Sequence, residues 1–210
     1  MRKVKNNITE MVFILDRSGS MQGLEKDTIG GFNSMIEKQK ELEGRCYVST
    51  VLFDNETEVL HDRVELSRVP LMTNKDYYVR GCTALLDAVG GAIHHIGNIH
   101  KYARTEDVPE KTIFVITTDG MENASRKYSR GDIKRMIERQ KEKYGWEFLF
   151  IGANIDAGLE AEKIGIDRNR SVNYSATCAG TANLYNVVEK TVRNYRKSSR
   201  INENWSEEIV

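Results

Sequence analysis

Residues 11–21 read MVFILDRSGSM, an unbroken apolar run that ends in an acid and two serines. Such a run is typical of a central parallel strand that helices cover on both faces. Asp16, Ser18 and Ser20 follow it directly, and Gly19 allows a tight bend between the serines. Taken alone, the segment fits a simple turn as well as a ligand site, because Ser, Asp and Gly are also turn residues. Its meaning depends on what the rest of the chain brings beside it.

Short apolar segments alternate along the chain with longer segments of helical period, which predicts a sheet with helices on both faces. The segments 45–53 and 56–66 are joined by the Asp54-Asn55 turn, so we expect one antiparallel strand at an edge. The predicted fold class is α/β, with a Rossmann-like, doubly wound, mostly parallel sheet of about six strands. The predicted strands are 9–16, 45–53, 56–66, 111–118, 146–152 and 170–174, and the predicted helices are 23–43, 83–103, 130–143, 156–165 and 180–197.

Length and composition indicate one folded domain. The chain has 210 residues, of which 40% are hydrophobic and 30% charged, and it contains two prolines. We expect this domain to span residues 8–197 and a polar C-terminal tail to span residues 198–210. A flexible tail is the simplest expectation. Packing of Trp205 onto the domain or into a partner is the alternative.

Charge and cysteine content narrow the class of function. Basic and acidic residues both number 31, which argues against nucleic-acid binding driven by bulk electrostatics. No apolar run approaches the ~20 residues of a membrane helix, and the N-terminus has no apolar signal core. Cys46, Cys82 and Cys178 lie far apart without a CxxC pair, so they read as reduced thiols. The expectation is a cytoplasmic protein without a membrane anchor.

Oxygen-bearing side chains lie at three distant points of the predicted fold. Asp16 and Asp119 each follow a strand, and Gly81-Cys82-Thr83 comes directly before a helix. If the strands 9–16 and 111–118 are neighbours, both carboxylates meet at the carboxyl edge of the sheet, where α/β folds bind ligands. Hydroxyl and carboxylate oxygens suit a hard cation, Mg²⁺ or Mn²⁺ before Ca²⁺. The predicted metal ligands are Asp16, Ser18, Ser20, Thr83 and Asp119.

Three motifs resemble a known site. The segments DRSGSM at 16–21, GCTALLDA at 81–88 and TTDGMEN at 117–123 are similar, in the same order, to the metal-ion-dependent adhesion site of von Willebrand factor type A domains. The resemblance covers most of the chain. It implies a Rossmann-like sheet with Mg²⁺ or Mn²⁺ at its top. Within this family, the chain resembles the compact intracellular members of bacteria and phages.

The resemblance also implies a role for each site residue. Residues matching Ser18 and Ser20 bind the ion directly, and those matching Thr83 and Asp119 bind it directly or through water. The residue matching Asp16 acts through water or through contacts to the ligands. The remaining position on the ion is commonly filled by a carboxylate of a partner protein. The implied function is therefore a metal-dependent protein-binding module and not an enzyme.

Two other classes of function remain open from the sequence. A strand-ending acid also occurs in phosphoryl-transfer enzymes of the haloacid dehalogenase type, but these place a second acid two residues on, where this chain has Ser18. The basic runs Arg126–Arg135 and Lys190–Arg200 are the features that fit RNA binding, although a solvated helix face explains them as well. Thr83 fits the N-cap of its helix as an alternative to a ligand.

Overall fold

The computed structural model describes residues 6–209, and its elements follow the predicted order. The predicted strands 9–16 and 111–118 are confirmed at both ends. The strands are β1 Thr9–Asp16, β2 Cys46–Phe53, β3 Thr57–Glu65, β4 Lys111–Thr118, β5 Glu147–Gly152 and β6 Ser171–Asn173, and the α-helices are α1 Glu25–Lys40, α2 Leu85–Tyr102, α3 Arg130–Tyr144, α4 Ala157–Lys163 and α5 Cys178–Ser198.

The six strands form one sheet in the order β3-β2-β1-β4-β5-β6. Every neighbouring pair is parallel except β2 and β3, which pair antiparallel at one edge. The predicted fold class, including the single antiparallel edge strand, is confirmed. The chain moves outward from β1 to β2 and β3 and then returns to β4 on the other side, so β1 and β4 flank the point where the connections change direction.

Side chains on the central strands alternate between two apolar layers. Met11, Phe13 and Leu15 of β1 lie in the layer that α1 and α5 cover. Val12 and Ile14 lie in the opposite layer, which α2, α3 and α4 cover. Every residue of β1 and β4 is buried, and the middle of each strand is apolar, as is typical of strands at the centre of a parallel sheet.

The first helix is shorter than the predicted range 23–43. It begins at Glu25, because Gly23 has a φ of +90° that is incompatible with a helix. It ends at Lys40, and Gly44 with a φ of +96° then turns the chain into β2. The periodic spacing of apolar residues continues past both ends of the helix, but the helical conformation of the backbone does not.

The flexible-tail expectation is wrong for residues 199–209. Ile201, Trp205 and Ile209 are buried in the layer that contains α5. The Trp205 indole Nε1 donates to the backbone oxygen of Asn169 at 2.8 Å. The alternative, in which Trp205 packs onto the domain, therefore holds. Val210 lies outside the described residues.

The basic run at 190–200 is only partly a solvated face. Arg196 is 5% exposed, and its Nη1 donates to the backbone oxygen of Gln39 at 2.7 Å. Its Nη2 donates to the backbone oxygens of Glu43 and Gly44. Arg196 therefore ties α5 to the end of α1.

No helix within residues 6–209 is long and apolar enough to cross a membrane.

Candidate metal centre

The candidate site lies at the carboxyl ends of β1 and β4. These strands pair in parallel, with Leu15 opposite Thr117. Asp16 is the last residue of β1, and Asp119 follows the last residue of β4. This is the edge and the switch point at which ligands bind in open α/β sheets.

The hydroxyl groups of the three motifs are in contact. The Oγ atoms of Ser18 and Ser20 lie 3.1 Å apart. Thr83 Oγ1 donates to Ser18 Oγ at 3.1 Å, and the Ser20 hydroxyl donates to Asp119 Oδ1. The structure thus brings Ser18, Ser20, Thr83 and Asp119 into one connected set of oxygens.

Asp16 lies behind this set of oxygens and orients it. Its Oδ1 accepts the backbone N–H of Ser18 at 2.7 Å, and its Oδ2 accepts the Thr118 hydroxyl at 2.6 Å. The Tyr77 hydroxyl donates to the Asp16 backbone oxygen. Both carboxylate oxygens therefore hold neighbouring groups of the chain in place.

Burial shapes the protonation of both acids. It raises the pKa of Asp16, and hydrogen bonds from Ser18 and Thr118 only partly oppose this effect. Burial also raises the pKa of Asp119; the Ser20 hydroxyl lowers it, and the nearby charge of Asp16 raises it further. Two buried carboxyl groups of like charge are costly to ionise without a cation.

The side chains fit a hard divalent cation. Asp119 Oδ2 is buried and has no hydrogen-bond partner among the described residues, which is unusual for a carboxylate oxygen and consistent with a missing ligand. No group of three or more His, Cys, Asp or Glu side chains within residues 6–209 could hold a metal. An ion at this edge would therefore depend on hydroxyl ligands, and oxygen-only ligation suits Mg²⁺ or Mn²⁺.

Glycines allow the three loops to approach one another. The N–H of Gly19 donates to the backbone oxygen of Gly81 at 3.1 Å. Gly81 has a φ of +68°, and a Cβ there would lie 1.8 Å from Asn55 Oδ1. A Cβ on Gly120 would lie 3.3 Å from Ser20 Oγ. A side chain at position 81 would therefore strain the backbone and displace the Asn55 side chain.

Thr83 does not act as a helix cap. The N-cap residue of α2 is Ala84, and no side chain of that residue caps the helix. The Thr83 hydroxyl instead contacts Ser18 Oγ, and Thr83 is 4% exposed. The N-cap alternative for Thr83 is therefore wrong.

Sequence reasoning missed an ionic cluster beside the site. Arg17 is fully buried, and its Nε donates to Asp54 Oδ2 at 2.8 Å while its Nη1 donates to Glu58 at 2.7 Å. Arg80 Nε donates to the same Asp54 oxygen at 2.8 Å. Burial alone would raise the pKa of Asp54, but hydrogen bonds from Arg80, the Glu56 N–H and Arg17 lower it. The sequence did not indicate that Arg17, a charged residue directly after a strand, is buried.

This cluster joins the first motif to the loop that carries Thr83. The backbone N–H of Arg80 donates to the oxygen of Arg17 at 2.9 Å, and the N–H of Ala84 donates to the oxygen of Asp54 at 2.8 Å. The ring of Tyr78 lies 5.3 Å from the guanidinium carbon of Arg17. The hairpin turn, the serine loop and the threonine loop are therefore held as one unit.

Solved structures of low sequence identity share this architecture. The von Willebrand factor domain of the pilus tip protein Mfa5 from Porphyromonas gingivalis matches with a TM-score of 0.67 and 12% identity, over 93% of this chain and 98% of that one. This chain has the von Willebrand factor type A fold. No family model matches the sequence, and no curated protein does either.

Two further solved structures that share this architecture are longer than this chain. A mutant of the PilB minor pilin from Streptococcus sanguinis matches with a TM-score of 0.65 and 12% identity, over 91% of this chain and 63% of that one. Proximal thread matrix protein 1 from the mussel byssus, with a zinc-occupied MIDAS motif, matches with a TM-score of 0.55 and 14% identity, over 86% of this chain and 47% of that one. The chain thus spans about half to two thirds of these two proteins.

We expect Asp119→Asn to weaken the pH dependence of stability in the metal-free protein. A carboxyl with a raised folded pKa contributes stability below its unfolded pKa, near 3.8, and that stability is lost as pH rises through the folded pKa. Urea unfolding with chelator at a series of pH values, from acidic to neutral, measures this loss. The variant should lose less than the wild type, because it lacks the Asp119 carboxyl and the repulsion between that carboxyl and Asp16.

Asp132→Asn is the matched control for this measurement. Hydrogen bonds from Ser129 hold the pKa of Asp132 below its usual value, so its contribution is present above the unfolded pKa and is lost as pH falls. The two variants should change the pH dependence in opposite directions. Equal pH dependence in Asp119→Asn and the wild type would contradict the assignment of a costly buried charge to Asp119.

Proposed function

We propose that this chain is a metal-dependent protein-binding module. It holds Mg²⁺ or Mn²⁺ at the edge between β1 and β4 and uses the ion to coordinate an acidic residue of a partner protein. The observation that carries the proposal is the connected set of oxygens, in which a buried Asp119 oxygen has no partner among the described residues. The proposed ligands are Ser18, Ser20, Thr83 and Asp119, with Asp16 acting through its contacts to them.

The character of the ligands supports an acidic partner. Hydroxyl oxygens are neutral, and burial disfavours charge on both Asp16 and Asp119. These ligands carry little negative charge, so a bound divalent ion would remain electrophilic at its free coordination position. A carboxylate from another protein satisfies that position best, since hard cations prefer anionic oxygen. Ca²⁺ is less suitable, because it usually takes more carboxylate ligands.

The contacts of Asp16 favour this module over a phosphoryl-transfer enzyme. A nucleophilic carboxylate must present an oxygen to the substrate. Both Asp16 oxygens accept hydrogen bonds from the chain, and the residue is 1% exposed. The residue two positions later is Ser18, which cannot act as the second acid of haloacid dehalogenase chemistry.

The ionic contacts of the basic runs favour the module over an RNA-binding protein. Arg130 pairs with Glu160 at 3.4 Å, and Arg135 pairs with Asp132 at 2.6 Å. Arg196 is buried among backbone oxygens. Arg130, Arg135 and Arg196 are thereby less available to phosphates, which dominate the affinity of nucleic-acid binding.

We further propose that the module is one domain over residues 8–197, on which residues 199–209 pack, and that it acts in the cytoplasm. Cys46, Cys82 and Cys178 are all free thiols in the structure. Free thiols, two of them exposed, are typical of a reducing compartment.

Thermal unfolding with Mg²⁺ or Mn²⁺ and with chelator tests the metal site. A ligand that binds only the folded state adds RT ln(1 + [L]/Kd), which is about 2.7 kcal/mol at one hundred times Kd. For a chain of this size each kcal/mol raises Tm by roughly 2–4 °C. The double variant Ser18→Ala, Ser20→Ala should lose the metal-dependent shift. No shift in the wild type at millimolar metal would overturn the site.

Capture on the immobilised domain tests the partner. A bound protein should be retained with Mg²⁺, released by chelator and absent from the double-serine variant. Replacing one acid of that protein by its amide should abolish retention. Retention that survives chelation and weakens steeply with salt would instead support the nucleic-acid or charge-driven alternative.

A further inference from the structure

The loop after β4, residues 119–128, is tied to the start of α2 by Glu122. The Glu122 Oε2 atom accepts the backbone N–H of Leu86 at 2.9 Å and the Ser125 hydroxyl at 2.8 Å. Its Oε1 atom accepts the N–H groups of Ala124 at 3.0 Å and Ser125 at 2.7 Å. One carboxylate thus closes its own loop and binds the first turn of a helix from another motif.

Asp87, on that first turn, makes the reciprocal contacts. Its Oδ1 atom accepts the N–H groups of Lys127 at 2.9 Å and Tyr128 at 3.0 Å, and its Oδ2 atom accepts the N–H of Arg126 at 2.9 Å. The N–H of Asp87 itself donates to Ser125 Oγ at 3.1 Å. Asp87 of α2 therefore holds the backbone of the loop after β4, and Glu122 of that loop holds the backbone of α2.

Backbone contacts extend this connection to Thr83. Asn123 Oδ1 accepts the N–H of Thr83 at 2.9 Å, and the Thr83 oxygen accepts the N–H of Asn123 at 3.0 Å and of Ala124 at 3.2 Å. Farther along, the ring of Tyr128 packs on Gly90 of α2, where a Cβ would lie 2.6 Å from a ring carbon. The loop therefore follows α2 from the site for more than one helical turn.

We propose that Asp87 and Glu122 are positioning residues that set the distance between Thr83 and Asp119. We call this pair the Asp87–Glu122 clamp. The inference rests on the proposed metal site, because it assigns the two acids a role in ligand geometry. Thr83 and Asp119 belong to separate loops, so their relative position depends on what joins those loops. Hydrogen bonds from N–H groups to an ionised carboxylate are the stronger kind.

The helix start explains why the clamp acts on the site and not only on the helix. The first N–H groups of an α-helix have no partner within the helix, and the N-cap Ala84 supplies no side-chain acceptor. The acceptors for Leu86 and Asp87 come from the loop that begins at Asp119. Completing the first turn of α2 therefore also fixes that loop, and a change in either carboxylate shifts Thr83 relative to Asp119.

Metal affinity of the full chain measures this role. Titration of Mg²⁺ or Mn²⁺ into Glu122→Gln and Asp87→Asn should give a Kd about 10–100-fold higher than in the wild type, the usual effect of removing a group that orients metal ligands. Each amide replaces one acceptor oxygen with a donor that faces an N–H group. Asp132→Asn is the matched control, because Asp132 accepts the N–H of Ser129 in the capping box of α3 but contacts no residue of the site. It should leave Kd unchanged.

The outcomes separate the clamp from the proposed function. If the wild type binds no metal, both proposals fail. If the wild type binds metal and the two variants bind it equally well, only the clamp fails. Hydrogen exchange of the metal-free wild type tests the clamp without a variant. The amides of residues 124–128 should exchange slowly relative to other loop amides. Fast exchange of these amides would overturn the clamp.

Discussion

Asp54→Ala is expected to lower the free energy of unfolding by about 3–5 kcal/mol, the usual cost of leaving a buried charge without its partner. Arg17 and Asp54 are 0% and 1% exposed. Without Asp54, the anionic partner that remains for the Arg17 guanidinium among the described residues is Glu58, which is 49% exposed, and the Arg17 Nη2 atom already has no hydrogen-bond partner there. Urea unfolding at neutral pH measures the loss.

Two further variants isolate the cause of this loss. Replacing both partners, as in the double variant Arg17→Met, Asp54→Leu, should recover much of the stability, because apolar pairs often substitute for buried ion pairs. Glu56→Ala should change stability by at most about 0.5 kcal/mol, since Glu56 is 75% exposed and pairs with Arg80 at the surface. A cost below about 1 kcal/mol for Asp54→Ala would contradict the structural role assigned to the cluster.

Trp205→Ala is expected to lower the free energy of unfolding by about 3–5 kcal/mol, the range for truncation of a large buried aromatic residue. Trp205 is 7% exposed, lies in the apolar layer with α5 and donates to the Asn169 oxygen. The variant loses this packing and leaves the Asn169 oxygen without its indole donor. Urea unfolding of the full chain measures the change.

Trp205→Phe is the conservative companion to this variant. It retains most of the apolar contact and loses the hydrogen bond to Asn169, so its cost should be about 1 kcal/mol, the net value of one hydrogen bond. A segment that did not pack on the domain would give almost no loss in either variant. Equal stability of Trp205→Ala and the wild type would therefore contradict the observed packing of residues 199–209.

Local sequence patterns were sufficient for most of the fold. The continuous apolar runs of β1 and β4 end at polar residues, so both strands were predicted at both ends. The ends of α1 were not, because apolar period reports which face is buried and not where the backbone leaves the helix. Gly23 and Gly44, each with positive φ, decide those ends.

The candidate site was partly accessible to sequence reasoning. Asp16, Ser18, Ser20, Thr83 and Asp119 were chosen for their residue types and positions. The structure brings the oxygens of the last four together and places Asp16 behind them, where it accepts the N–H of Ser18. Their role as metal ligands remains a proposal. The residues that support these side chains were not assigned a role. Arg17, Thr118, Asp87 and Glu122 lie within the three motifs and Asp54 lies in the predicted turn, but residue type alone did not indicate their contacts.

The sequence by itself determined the order of strands and helices, the buried character of β1 and β4, and the residue types available at the carboxyl edge of the sheet. These properties depend on neighbours within a few residues, whose spacing decides which face is apolar. Only the tertiary structure decided that Arg17 is buried against Asp54, that Trp205 packs on the domain, and that Asp87 and Glu122 join two loops. Each of these contacts joins residues about 35 or more positions apart, and no local period encodes such a pairing.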